Sequence, residues 1–494
     1  MRATIASIVR GAVRPCSGTP ASLATGLLWR SAASAARPAV RSTVTPSTLL
    51  SPASSRPLST AGATLNVQIR RAFAQARSIT TAVPQAAAEA VSKTVPKVTD
   101  RKVGYWLLVS SGLVFGIVIV GGLTRLTESG LSITEWKPVT GSIPPLTQAD
   151  WEEEFAKYQQ SPEFKLLNSK MTLDEFKQIF FMEWAHRLWG RVIGLAFVLP
   201  GLYFVARGRT TSRVTWRISV IAGMIGLQGF IGWWMVKSGL DDQFLTDEKD
   251  NHPRVSPYRL VTHLGMAFVV YLSMLWTGLE VLKENRAVRD PATALKTSQL
   301  LSNPLLRKYK FLAVGLLGMV FTTAMSGAFV AGLDAGMLYN SFPYMGDSII
   351  PPTKELMSPF YARKDDLSDL VTRNLFENPV TVQLVHRIFA VSTFTAVCLF
   401  HLYSRSLARG TRNSVTAGLL PRSVARASSG VIGFASLQVT LGICTLLYIV
   451  PTPLAAAHQA GSLALLTEVL ILCMRLRKPR PELVQYLQKL AKGQ

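Results

Sequence analysis

Eight stretches of about 20 mostly apolar residues dominate this chain, and that is the length a helix needs to cross the hydrocarbon of a bilayer. Lipid offers no hydrogen bonds, so a crossing segment must satisfy its own backbone, which an α-helix does. The stretches lie near residues 104–124, 184–206, 217–238, 258–282, 309–332, 381–404, 428–450 and 453–474. Only 17% of the residues are charged. The expected fold class is an all-α polytopic membrane protein with eight transmembrane helices.

The net charge of +24 would suit a nucleic-acid binder, but its distribution argues otherwise. Residues 1–88 hold ten Arg and no Asp, Glu or Lys, leaving +14 for the remainder. A segment rich in Arg, Ser, Ala and Thr without acid has the composition of a mitochondrial transit peptide with a basic N-terminus, and no nucleic-acid partner is expected. Cys16 lies in that segment; Cys398, Cys444 and Cys473 lie in apolar stretches without CxxC spacing, which indicates neither a disulfide framework nor a zinc site.

Charge alternates along the connections. Arg207, Arg209, Arg213 and Arg217 separate spans two and three, and Arg405, Arg409, Arg412, Arg422 and Arg426 separate six and seven. Asp241, Asp242, Asp247, Glu248 and Asp250 separate three and four. The positive-inside rule puts the basic loops, both termini and the 476–494 tail in the matrix, with the acidic loops facing the intermembrane space across the inner membrane. The first outer loop, 125–182, ends in Thr172-Leu-Asp-Glu175, a capping box that predicts one helix running on into span two.

The chain repeats itself after about 200 residues. "GGLTRLTESG" at 121–130 matches "GAFVAGLDAG" at 327–336, His186-Arg187 matches His386-Arg387, "LQGFIG" at 227–232 matches "LQVTLG" at 437–442, and His263 matches His458. Two pseudo-symmetric four-helix bundles, 103–282 and 309–475, follow.

A lone histidine within a span is more often structural or part of a proton path than a ligand. Four at matched depth, in spans two, four, six and eight that all run inwards from the outer side, point instead to two bis-histidine heme sites: His186 with His263, and His386 with His458. Zinc or copper would call for clustered thiolates or carboxylates. Arg187 and Arg387 suit heme propionates, through paired hydrogen bonds, or snorkel to the interface. His252, in an acidic loop, and His401, about 22 Å along the helix from His386, are left out of the site.

One acid breaks the symmetry. Glu183 stands three residues before His186, where Gln383 stands before His386. Positions i and i+3 share a helix face, so Glu183 is expected to face the heme of the first half and to be catalytic. A non-enzymatic diheme cytochrome relaying electrons would need no such acid, and a transporter, which repeats also permit, would need no four histidines at one depth.

The stretches "GGLTRLTESGLSITEWKPVTGSIPPL", "EWAHRLWGR", "SGAFVAGLDAGMLYNSFPYMG", "VQLVHRIFA" and "AAAHQAG" make the chain resemble the mitochondrial heme A synthase family over residues 103–475. The resemblance implies oxidation of the C8 methyl of heme O to a formyl group by two successive hydroxylations, yielding heme A for cytochrome c oxidase. It implies that His186 and His263 hold the substrate heme, that His386 and His458 hold a heme b, and that the functional glutamate is Glu183. It also implies heme O delivered by an upstream farnesyltransferase and electrons from a ferredoxin-type donor, and it is compatible with a homo-oligomer in the lipid bilayer. Many bacterial relatives carry a cysteine pair in the first outer loop; residues 125–182 contain none, so no thiol role carries over. Iron held by two histidines has no open position for oxygen: either one histidine lets go or the iron only withdraws electrons, and the residues leave both open.

Overall fold

The computed structural model describes residues 98–245, 252–409 and 418–492. The 1–88 leader reading, Asp247, Glu248, Asp250 and Arg412 lie outside the described residues. Among the described residues, fourteen α-helices and four 3-10 turns form, with no strand. Eight helices are long and apolar enough to cross a membrane: Arg101–Leu126, Leu173–Ala206, Ser212–Lys237, Pro257–Arg289, Leu306–Gly332, Pro379–Arg409, Arg422–Leu447 and Thr452–Leu476.

The second span is one helix of 34 residues, as its start signal predicts. Thr172 accepts from Glu175 N while Glu175 Oε2 accepts from Thr172 N at 2.8 Å, so the capping box closes in both directions. Pro200 lies near the far end of this helix, well past the site-bearing segment. The seventh span begins at Arg422, ahead of the apolar run, and stops at Leu447 because Ile449 and Val450 adopt φ of 60° and 52°. Left-handed backbone at two β-branched residues is strained. It turns the chain within a few residues into the eighth span, whose Pro453 sits in the first helical turn.

Packing follows the duplication. The first span lies against the second and fourth, and the third against the second and fourth; likewise the fifth lies against the sixth and eighth, and the seventh against the sixth and eighth. The bundles join through the first, fourth, fifth and eighth spans. Gln459 of the eighth donates to Val118 O at 2.9 Å, Tyr271 and Thr467 share a hydrogen bond of 2.7 Å, and Arg125 pairs with Asp334 at 2.7 Å. The repeat is visible in the backbone: Glu128 and Asp334, the matched acids after spans one and five, both take φ of 51°.

The end carrying the basic connections is tied by charge. Glu280 pairs with Arg213 and Arg477 at 3.3 Å each and with Arg217, while Arg480 holds Glu284 through two hydrogen bonds. Residues 481–491 form a further helix whose Leu483 and Leu487 bury against Ala287 and Leu295. The opposite end carries the long loop 127–172, folded around Trp151, Tyr158, Phe176 and Phe180.

Candidate functional site

A cavity of about 1980 Å³ opens between the two bundles, and all four matched histidines line it. Single ligand pockets usually hold roughly 300–1,000 Å³, so this space is on the scale of two large ligands. His186 and His263 lie within electrostatic range of each other, as do His386 and His458. The structure thus brings the two members of each sequence-derived pair to the same cavity.

Each ring is seated in the same way. A Cβ placed on Gly232 would come within 3.0 Å of His263 Cε1, on Gly327 within 3.0 Å of His386 Cε1, and on Gly442 within 2.8 Å of His458 Cε1. Gly121 does the same for His186, at 3.0 Å, but meets Nε2. Every histidine thus packs on a glycine of the preceding span, and these glycines begin or end the repeated motifs. The motif glutamines have a task as well: Gln228 Nε2 donates to His263 O and Gln438 Nε2 donates to His458 O, both at 2.9 Å. At the ring nitrogens, His386 Nδ1 meets Ser326 Oγ at 2.8 Å and His263 Nδ1 lies 3.1 Å from Gln228 Nε2. Sequence reasoning matched these motifs without assigning the seats; glycine at a fixed offset in the preceding helix was the available signal.

Glu183 also lines the cavity and is only 2% exposed. Ser132 Oγ donates to its Oε2 at 2.7 Å and Ile133 N at 2.8 Å, while Arg187 Nη2 donates to Oε1 at 2.6 Å. Arg187 further donates to Ile133 O and Glu135 O. The i,i+4 spacing of Glu183 and Arg187 signals this pair in the sequence. In the second half Gln383 Nε2 and Arg387 Nη2 both donate to Tyr339 O, at 3.1 and 2.9 Å. His252 lines the same cavity from an exposed position. His401 instead lies near Ser428, at 3.4 Å, outside the cavity wall.

Buried polar atoms without a partner concentrate here: among the described residues they include Gln228 Oε1, Gln383 Oε1, Gln438 Oε1, His458 Nδ1, Arg125 Nε and Arg387 Nε, all on residues that line the cavity. Such atoms call for a group not made of protein. A heme fits the donor set, being apolar across its plane, ligated by imidazole and carboxylate-bearing at its edge. Among the described residues no three His, Cys, Asp or Glu side chains cluster to hold a bare metal ion.

The sequence pattern described as COX15-CtaA, cytochrome oxidase assembly protein, matches residues 104–470. The chain belongs to this family. Among COX15-CtaA relatives, it is 54% identical over 382 residues to heme A synthase COX15 of Saccharomyces cerevisiae, covering 77% of this chain and 76% of that one. It is 47% identical over 384 residues to human heme A synthase COX15, covering 77% and 84%. A heme A synthase-mitochondrial ferredoxin fusion protein of Schizosaccharomyces pombe is 49% identical over 384 residues, covering 77% of this chain and 61% of the fusion.

Proposed function

We propose that this chain is a heme A synthase of the mitochondrial inner membrane, oxidising the C8 methyl of heme O to a formyl group in two successive hydroxylations for cytochrome c oxidase assembly. Its similarity to named heme A synthases supports the reaction. The observation that carries the assignment to particular residues is the asymmetry within a duplicated site: the histidine seat is built four times, yet a buried acid stands in one half alone.

In this reading His186 and His263 hold the substrate heme O in the 103–282 half, and His386 and His458 hold a heme b in the 309–475 half. When bound, that heme b supplies one-electron transfer. Ser326, on His386 Nδ1, fixes the ring so that Nε2 is left for the iron. Arg387 keeps a buried Nε without a partner, a donor for a propionate, while Arg187 first holds Glu183 and meets a propionate beside it. Glu183, fixed by three donors, places negative charge against the face where the methyl carbon becomes electron-poor, and orders the water or hydroxyl that reacts there. Positively charged loops at the end opposite the cavity suit an acidic one-electron donor, and the ferredoxin fused in the fission-yeast relative fits that role. Residues 1–88 serve as the import leader, and both termini with the 476–494 tail face the matrix, leaving the cavity toward the intermembrane space.

The test is pigment analysis of the purified full chain supplied with heme O and a ferredoxin reducing system. Heme A should appear, and one b-type heme should remain. A protein that returns heme O unchanged under turnover would refute the reading.

A further inference from the structure

Above the first-half side of the cavity, two outer segments meet. The short helix Pro162–Leu166 of the first outer loop packs on Asp242–Leu245 of the next, and Glu163 lines the cavity from this roof. Glu163 is 4% exposed. Its Oε2 accepts from Tyr158 Oη at 3.2 Å, and Tyr158 Oη accepts in turn from Asn168 Nδ2 at 2.8 Å. Its Oε1 accepts no hydrogen bond from any described residue. The charged neighbours come from several elements: Glu183 from the second span and Arg125 and Glu128 from the end of the first, while Asp242 opens the packed segment. Burial, reinforced by Glu183 and Glu128 and opposed by the Tyr158 hydrogen bond and Arg125, pushes the Glu163 carboxyl up to about 8.

The two acids of this half therefore sit in opposite environments. Glu183 is engaged on both oxygens, by Arg187 at Oε1 and by Ser132 and Ile133 at Oε2. Glu163 lines the cavity with only one of its oxygens engaged by a described residue, and burial makes its carboxyl hold a proton to higher pH than an ordinary glutamate does. A carboxyl that keeps its proton beside a reacting site is placed to act as a general acid.

Resting on the heme A synthase reading, we propose that Glu163 is the general acid that completes formyl formation. The second hydroxylation leaves a carbon bearing two hydroxyl groups. The Glu163 carboxyl gives its proton to one hydroxyl oxygen as that C–O bond breaks and water departs. The carboxylate so formed takes the proton of the remaining hydroxyl as the C=O bond forms. One water is lost, no electrons move, and the residue is regenerated.

The test uses the full chain with heme O and the ferredoxin system, reading the formyl C=O band in the vibrational spectrum of unextracted protein, because acid extraction would itself drive the dehydration. A general acid contributes roughly 10²–10⁴-fold. Glu163→Gln should lower the rate of formyl appearance by at least about 100-fold, with hydroxylated heme accumulating. Glu163→Asp, which keeps a transferable proton, should restore part of it, and wild-type formyl formation should fall as pH rises past about 8 while the Gln variant stays flat. A formyl band of wild-type intensity in Glu163→Gln overturns the proposal. So does loss of heme O consumption in both variants, which would make the residue a structural support. Failure of the wild type to consume heme O at all would instead strike the underlying reading.

Discussion

Replacing Glu183 by Gln separates charge from shape at the centre of the site. The amide keeps the volume but loses the ion pair with Arg187, and one of its two ends now presents N–H groups to donors that stand 2.6–2.8 Å away. A hydrogen bond to a charged group contributes about 1.5–3 kcal/mol, and removing one partner of a buried pair costs about 3–5 kcal/mol. Arg187 is 21% exposed and keeps Ile133 O and Glu135 O as acceptors, so the lower part of that range applies, about 3–4 kcal/mol. Ser132→Ala is the matched control. It removes one donor to the carboxylate, about 1.5–3 kcal/mol, but leaves the charge in place. Thermal unfolding in lipid discs should show comparable losses for the two variants, whereas pigment chromatography should show heme A abolished only in Glu183→Gln, with heme bound in both. Undiminished heme A in Glu183→Gln would refute the catalytic role. Equal loss of heme A in both variants would reduce Glu183 to an anchor for the outer loop.

Three further outcomes follow from the same geometry. Gly442→Ala puts a methyl 2.8 Å from His458 Cε1, an overpacking worth about 1–3 kcal/mol, and should weaken the b-type signal in the reduced-minus-oxidised spectrum; an unchanged signal would refute the glycine seat. His386→Ala should remove one b-type signal from that spectrum while leaving heme O binding in the other half, and an intact spectrum would dismiss the second site. Glu163, whose carboxyl is raised from 4.5 to about 8, binds a proton more tightly folded than unfolded, so its contribution to stability is lost as pH rises between those values. Glu163→Gln lacks that loss, so its melting temperature should gain on the wild type from pH 5 to pH 8; a constant difference would show that the acid ionises freely.

The eight spans and their division into two bundles were legible because apolar length and repeat period are local properties of sequence. Even the long second helix was readable, since the Thr172 and Glu175 side chains cap only their immediate backbone. The histidine pairing was readable through the repeat. The position of Arg187 beside His186 points to a propionate, whereas its i,i+4 spacing from Glu183 marks the ion pair that forms. Glu163 left no signal. Its burial comes from Tyr158 on one side and from the Asp242–Leu245 segment on the other, and no pattern near residue 163 records either.

The asymmetry of the two halves reaches deeper than one side chain. At Glu183 the outer loop offers donors, Ser132 Oγ and Ile133 N, and an acid is the residue that accepts them. At Gln383 the outer loop offers an acceptor, Tyr339 O, already shared with Arg387, and an amide is the residue that donates to it. A carboxylate at position 383 would face a carbonyl oxygen 3.1 Å from the atom it replaced; Arg387, four residues on, could pair with it, but among the described residues Gln383 Oε1 meets no loop donor of the kind Ser132 and Ile133 supply. Buried charge without hydrogen bonds is costly, and more so at membrane depth. The acid of the first half therefore depends on a backbone trajectory that the second half lacks. The two halves thus differ in the loop and in the helix together: donors meet an acid in one, and an acceptor meets an amide in the other.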